Sequence, residues 1–104
     1  MNFDISNGEL VGRWSLSFSD IDFVNGKPEV ARLGLAVQLK FFAAHGFFMQ
    51  DHAAIPADGV SYLAEQLGLE AEAVNQYDFS GRTARRHYAE ILQYLGFRRL
   101  KRVD

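Results

Sequence analysis

The chain has no cysteine, only two prolines and a single tryptophan in 104 residues. The missing cysteines exclude disulfide frameworks, thiolate zinc sites, iron–sulfur ligation and cysteine nucleophiles together, and they suit a reducing compartment. No long apolar run is present either. The most apolar stretch, Leu33 to Phe48, is interrupted by Gln38, Lys40 and His45 and falls short of the ~20 residues that a membrane span needs. Met1 to Glu9 has neither a basic start nor an apolar core, so no secretory signal is read there. The expectation is a soluble, cytoplasmic protein with no membrane partner.

What is present fits one folded domain over residues 1–104. Hydrophobic residues make up 48% and charged residues 23%, and nine phenylalanines supply core volume. A chain of this size hides roughly 65% of its unfolded surface on folding, enough for a core without staples. The net charge of −2 conceals a division along the chain. Residues 1–78 carry four basic and eleven acidic side chains, whereas residues 79–104 carry seven basic and two acidic ones. Clustered cations on an otherwise acidic protein create a local positive field and point to a phosphate-rich partner.

Periodicity predicts an all-α fold, a compact bundle of five to six helices. Leu10, Val11 and Trp14 recur at helical spacing in a short helix from Asn7 to Trp14. Ser17 with Asp20 three residues on reads as a capping box for a second short segment, with Ile21 and Val24 inward. Asn25-Gly26-Lys27-Pro28 is a break and a start signal, opening a helix that runs to about His45. From Leu33 to Ala44 that helix is apolar on nearly all sides, which predicts the central core helix. Pro56 to Leu67 is the fourth helix and Ala71 to Tyr77 a short fifth. After Asp78-Phe79-Ser80-Gly81, with Ser80 as the cap, a sixth helix runs from Arg82 to Leu95 with Ala84, Tyr88, Ile91, Leu92 and Leu95 inward. Gly46, Gly68 and Gly96 each stand where a left-handed helix cap belongs, and each precedes an apolar residue.

The last quarter carries the candidate site. Arg82, Arg86, Ala89 and Gln93 fall at i, i+4, i+7 and i+11, flanked by Thr83 and Arg85, so one outward face is basic near the helix start. A short helix, a four-residue glycine-containing turn and a longer helix is also the layout of a helix-turn-helix, whose second helix enters the major groove of DNA N-terminus first. His87 on this helix is read as a surface residue or a second phosphate contact. Arg98, Arg99, Lys101 and Arg102 add four cations in five positions, suited to a sugar-phosphate backbone. Arginine-bearing faces of terminal helices are often merely solvated, and helix-turn-helix layouts also occur in bundles that bind nothing.

Other constellations are weaker. His45, Asp51 and His52 span a helix end and a loop, which is poor convergence for a metal, and no metal site is expected. Asp20 with Asp22, and Glu70 with Glu72, are i, i+2 pairs that point apart on a helix, not carboxylate dyads. No nucleophile stands beside a positioned base. The Phe41-Phe42 and Phe47-Phe48 pairs, Trp14 and Tyr62 are read as core.

Four segments in register carry a family resemblance. Leu10-Val11-Gly12-Arg13-Trp14-Ser15-Leu16-Ser17, then Arg32-Leu33-Gly34-Leu35-Ala36-Val37-Gln38-Leu39, then Ile55-Pro56 with Tyr62-Leu63-Ala64-Glu65-Gln66-Leu67-Gly68, and then Arg82-Thr83-Ala84-Arg85-Arg86-His87-Tyr88-Ala89-Glu90-Ile91 with Tyr94-Leu95-Gly96-Phe97-Arg98 resemble the N-terminal, DUF4158-like DNA-binding region of Tn3-family replicative transposases. The resemblance implies the beginning of a far longer protein whose N-terminal region binds the terminal inverted repeats of its element. It also implies an Asp-Asp-Glu nuclease domain using Mg2+ elsewhere in that protein, so this fragment holds no catalytic centre and no cofactor of its own. The expected partners are double-stranded DNA, the remainder of the transposase chain and a second protomer. The alternative is an assembly module without DNA contact, which exposed aromatics among Phe3, Phe18, Phe23, Phe47 and Phe48 would favour.

Overall fold

The computed structural model describes the backbone over residues 7–48 and 56–96, and side chains from residue 11 onward within those spans. Five α-helices are present there, α1 (Asn7–Trp14), α2 (Phe18–Asn25), α3 (Glu29–His45), α4 (Ala57–Leu67) and α5 (Arg82–Leu95), with a 3-10 helix (Ala71–Gln76) between α4 and α5. No strand occurs among the described residues. The pattern-based boundaries agree to within a residue or two, and the short fifth segment is 3-10 rather than α.

The apolar girdle of α3 has the predicted consequence. Nine of its seventeen residues are buried, an unbroken run from Leu33 to Leu39 among them. The helix touches every other element, so the remainder of the bundle is arranged around it. Gly46, Gly68 and Gly96 close α3, α4 and α5 at φ of 84°, 71° and 82°, a left-handed turn that glycine makes without a Cβ penalty. Phe47 then meets Phe41 edge-on at 5.2 Å, and the Leu69 amide reaches back to the Ala64 carbonyl at 2.9 Å. The capping box of α2 forms as read: the Ser17 hydroxyl accepts from the Asp20 amide, and the Asp20 carboxylate accepts from the Ser17 amide, both at 3.0 Å.

Two helical glycines do a different job. The Trp14 ring lies against Gly59 of α4, where an added Cβ would stand 2.8 Å from the indole. The Tyr77 ring sits directly on Gly34 of α3, where an added Cβ would overlap the ring itself. Both aromatics are buried because the facing helix offers bare backbone.

The link from α1 to α2 is fixed to α4 by side-chain hydrogen bonds. The Gln66 carbonyl oxygen accepts from the Leu16 amide at 2.7 Å, and its amide nitrogen donates to the Trp14 carbonyl at 3.0 Å. Gln66 thereby behaves as a short strand would, satisfying backbone groups that a turn leaves open. The Ser15 hydroxyl and the Tyr62 hydroxyl, 2.8 Å apart, close the same joint.

These contacts set opposite expectations for two glycine substitutions. Gly34→Ala drives a methyl into the Tyr77 ring and should cost about 1–3 kcal/mol, in the range of core overpacking. Gly12→Ala on exposed α1, where a Cβ meets nothing within 4 Å, should instead gain about 0.5–1 kcal/mol from helix propensity. Urea denaturation of the two variants side by side checks both signs.

Candidate nucleic-acid interface

Two polar clusters hold α5 against the bundle. At its N-terminal half, the Tyr77 hydroxyl and His87 Nδ1 lie 2.7 Å apart, with the two rings nearly parallel at 13°. Burial pushes the Tyr77 phenol up and the His87 imidazole down, so the tyrosine keeps its proton and the histidine stays neutral. A protonated phenol facing a bare ring nitrogen is a donor facing an acceptor, and the tyrosine donates. Tyr88 adds a bond from its hydroxyl to the Phe79 carbonyl at 2.9 Å, anchoring the turn before α5 to the helix itself.

At the C-terminal half, Tyr94 donates to Asp20 at 2.6 Å, and Lys40 pairs with the same carboxylate at 2.9 Å. Asp20 thus joins α2, α3 and α5. Burial alone would raise its pKa, but the Tyr94 hydroxyl, the Ser17 amide and the Lys40 ammonium together hold the carboxyl below its ordinary range. Burial, and then the Asp20 hydrogen bond, push Tyr94 up to about 12. Phe23 stacks on the Tyr94 ring at 4.5 Å. Glu90 on the same helix pairs with Lys27 at 2.6 Å.

So held, α5 turns Ala84, His87 and Ile91 inward and leaves Arg82, Thr83, Arg85 and Arg86 exposed. The outward placement of these four follows the strip read from their spacing. His87 does not belong with them. It is 2% exposed, and its spacing of three from Ala84 and four to Ile91 puts it on the buried stripe, so it is a packing and positioning residue that no duplex could touch from outside. The spacing alone held that signal. Ser80 also departs from expectation: Gly81 stands at the N-cap with no side-chain bond, while the Ser80 hydroxyl and amide both donate to Asp78 in the turn.

The basic side chains separate into two groups. Lys27 and Lys40 are in ion pairs. Arg32 donates to the Lys27 carbonyl at 2.8 Å and Arg13 to the Ala44 carbonyl at 3.2 Å. Arg82, Arg85 and Arg86 contact no carboxylate or carbonyl among the described residues; Glu65, Glu72 and Asp78 do not pair with them. All three sit in the first turn and a half of α5, where the helix dipole is positive and cations are disfavoured. Arg98, Arg99, Lys101 and Arg102 lie outside the described residues.

Several other sequence candidates are located. His45 is exposed beside the Phe41 and Phe47 rings, whereas Asp51 and His52 lie outside the described residues; within those residues no group of His, Cys, Asp or Glu gathers as a metal site would. Trp14 and Phe41 are core, Phe42 and Tyr62 are half-buried, and Phe48 is sandwiched between Phe42 and Tyr88 at 4.4 and 4.3 Å. Phe47 and Phe18 are exposed, Phe18 at 90%. Phe3 lies outside the described residues. No described helix is long and apolar enough to cross a membrane.

A family model described as a domain of unknown function, DUF4158, matches residues 2–104. No curated protein and no solved structure matches the chain.

The neutral state of His87 fixes the sign of one pH effect. Its pKa is lower folded than unfolded, so its contribution is complete above the unfolded value of 6.5 and is lost as pH falls toward the folded one. Stability should therefore drop on acidification below about 6.5, and His87→Gln, although less stable at neutral pH, should show a flatter profile between pH 7 and 5. Asp20 acts in the same direction at lower pH, from its unfolded value of 3.8 downward. Chemical denaturation across a pH series reads both windows.

Proposed function

The chain belongs to the DUF4158 family, and we propose that it is the DNA-binding domain of a transposase of the Tn3 type, recognising the terminal inverted repeats of its element. In this reading Arg82, Thr83, Arg85 and Arg86 face the duplex from the start of α5, and Arg98, Arg99, Lys101 and Arg102 anchor phosphates beside it. The domain itself performs no chemistry; strand cleavage and its Mg2+ belong to a catalytic domain outside this chain.

The observation that supports the reading most is the division of the basic side chains. Every arginine and lysine described in and between the first three helices has an ion-pair or hydrogen-bond partner, whereas the three on α5 have none among the described residues. They are also placed against the helix dipole, at a cost of about 0.3–1 kcal/mol each where the charge is at the first turn. Local rules are broken in folded proteins chiefly where function demands it. The uncapped N-terminus supports the same partner, because free backbone N–H groups and a positive dipole end suit a phosphate.

A second reading, an assembly module, is favoured by Phe18 and by Val11, which is 59% exposed. Apolar side chains so far from cover suit a protein partner.

Binding to an end-repeat duplex at two salt concentrations separates the two. Neutralising Arg82, Arg85 and Arg86 together should weaken binding at every salt concentration and flatten the salt slope by about one unit for each phosphate contact removed. Arg82→Glu should weaken binding while raising thermal stability, by about 0.3–1 kcal/mol, because the dipole then favours the new charge. Unchanged affinity in the triple variant removes these residues from the site; lost affinity with lost folding, read by circular dichroism, would mean they are structural.

A further inference from the structure

An open groove of about 480 Å³ lies between the start of α3, the end of α4 and the 3-10 helix. Glu29, Glu70 and Glu72 line it, with Val30, Leu69 and Ala73, and no basic residue does. The three carboxylates are exposed and engage no cation or hydrogen-bond donor among the described residues. Val30 is 55% exposed, so uncovered apolar surface lies between the acidic groups. Among the described residues the matching charge is the strip of Arg82, Arg85 and Arg86 at the start of α5. Three exposed cations without a partner answer three exposed anions without one, yet the two sets form no ion pair within the chain. They are nonetheless close. Gln76, which also lines the groove, precedes Arg82 by six positions, and between them the Gly81 amide turns back onto the Asp78 carbonyl at 3.0 Å. The Cα atoms of Gln76 and Arg82 therefore lie within roughly 20 Å of each other.

A surface that carries an acidic patch near a basic one is its own complement under a two-fold rotation, because each copy then offers its cations to the other's anions. We infer that the groove is a docking site for a second copy of this chain. In the two-fold dimer, Arg82, Arg85 and Arg86 of each protomer meet the groove of the other, their guanidinium heads on Glu29, Glu70 and Glu72 and their methylene stems over Val30 and Leu69. Arginine suits both parts of that role, since its head pairs with a carboxylate through two parallel hydrogen bonds and its stem covers apolar surface. Exposed ion pairs are individually weak and screened by salt, so the dimer forms between micromolar and millimolar concentration and dissolves as ionic strength rises. The same arginines are offered to the duplex in the reading above, but the dimer rests on the groove and needs no DNA. Where both hold, dimer and duplex exclude each other.

Sedimentation equilibrium over that concentration range, without DNA, tests the contact through an exchange of charge. Glu29→Lys, Glu70→Lys and Glu72→Lys together make both patches basic, and Arg82→Glu, Arg85→Glu and Arg86→Glu together make both acidic. All six positions are exposed, so the core is left intact. The unaltered chain should dimerise with rising concentration, and the dimer population should fall as salt is added. Each triple variant alone should stay monomeric, and an equimolar mixture of the two should dimerise again, because each patch then meets its opposite. That recovery also shows that both variants are folded. The proposal is overturned by an unaltered chain that stays monomeric, by association that grows beyond the dimer, or by a dimer that survives in either triple variant. A mixture that stays monomeric while both variants keep their helical circular dichroism overturns it too. Failure of the duplex titration leaves the dimer standing, and a monomer in this experiment leaves the duplex reading untouched.

Discussion

The seat of the Tyr77 ring on Gly34 is the constraint from which the position of the candidate interface follows. Only a residue without a side chain lets an aromatic ring lie on the backbone of the central helix. Once there, the ring carries its hydroxyl to His87 and so fixes the rotation of α5 about its own axis. Rotation decides which side chains are outside. With His87 and Ile91 directed inward, the helical repeat leaves the direction of Arg82 and Arg86 open to solvent. Tyr94 makes the same helix fast at its other end by donating to Asp20, a carboxylate that Lys40 pairs with as well.

The segments that carry the family resemblance turn out to be largely the joints of this scaffold. Ser15 meets Tyr62, and the Trp14 carbonyl meets Gln66, across α1 and α4. Arg32 and Gly34 of the second segment hold the α2–α3 link and seat Tyr77. In the fourth segment the residues divide by face: Ala84, His87 and Ile91 pack, while Arg82, Arg85 and Arg86 do not. The kinship in sequence is thus mostly kinship of architecture.

Much of the fold was legible because each signal was local. A capping box needs residues three apart, a glycine cap needs its one residue, and a buried helix needs only its own lack of polar groups. The long-range joints were not legible. Nothing near Gln66 in the chain marks it as the partner of Trp14 and Leu16, fifty residues away, and nothing near Asp20 beyond its capping role announces Tyr94 and Lys40. His87 was misplaced for a different reason. A histidine among arginines reads as part of a charged surface, although its spacing to Ala84 and Ile91 already placed it on the buried side. Ser80 was outcompeted locally, since the Asp78 carboxylate takes its hydroxyl two residues before the helix can use it.

The electrostatics of α5 sharpen the distinction between scaffold and surface. A helix selected only to pack would gain by having an acidic residue in its first turn and a hydroxyl at its cap, as α2 has with Asp20 and Ser17. α5 has a glycine at the cap and no acid in the first turn, although its apolar stripe is well formed. The bundle compensates from the other side: the Tyr77–His87 contact and the Asp20 cluster hold α5 through its inner face. A helix anchored in that way can keep three arginines at its exposed positive end without unravelling. Their charge remains available because the folding of the domain does not depend on neutralising it.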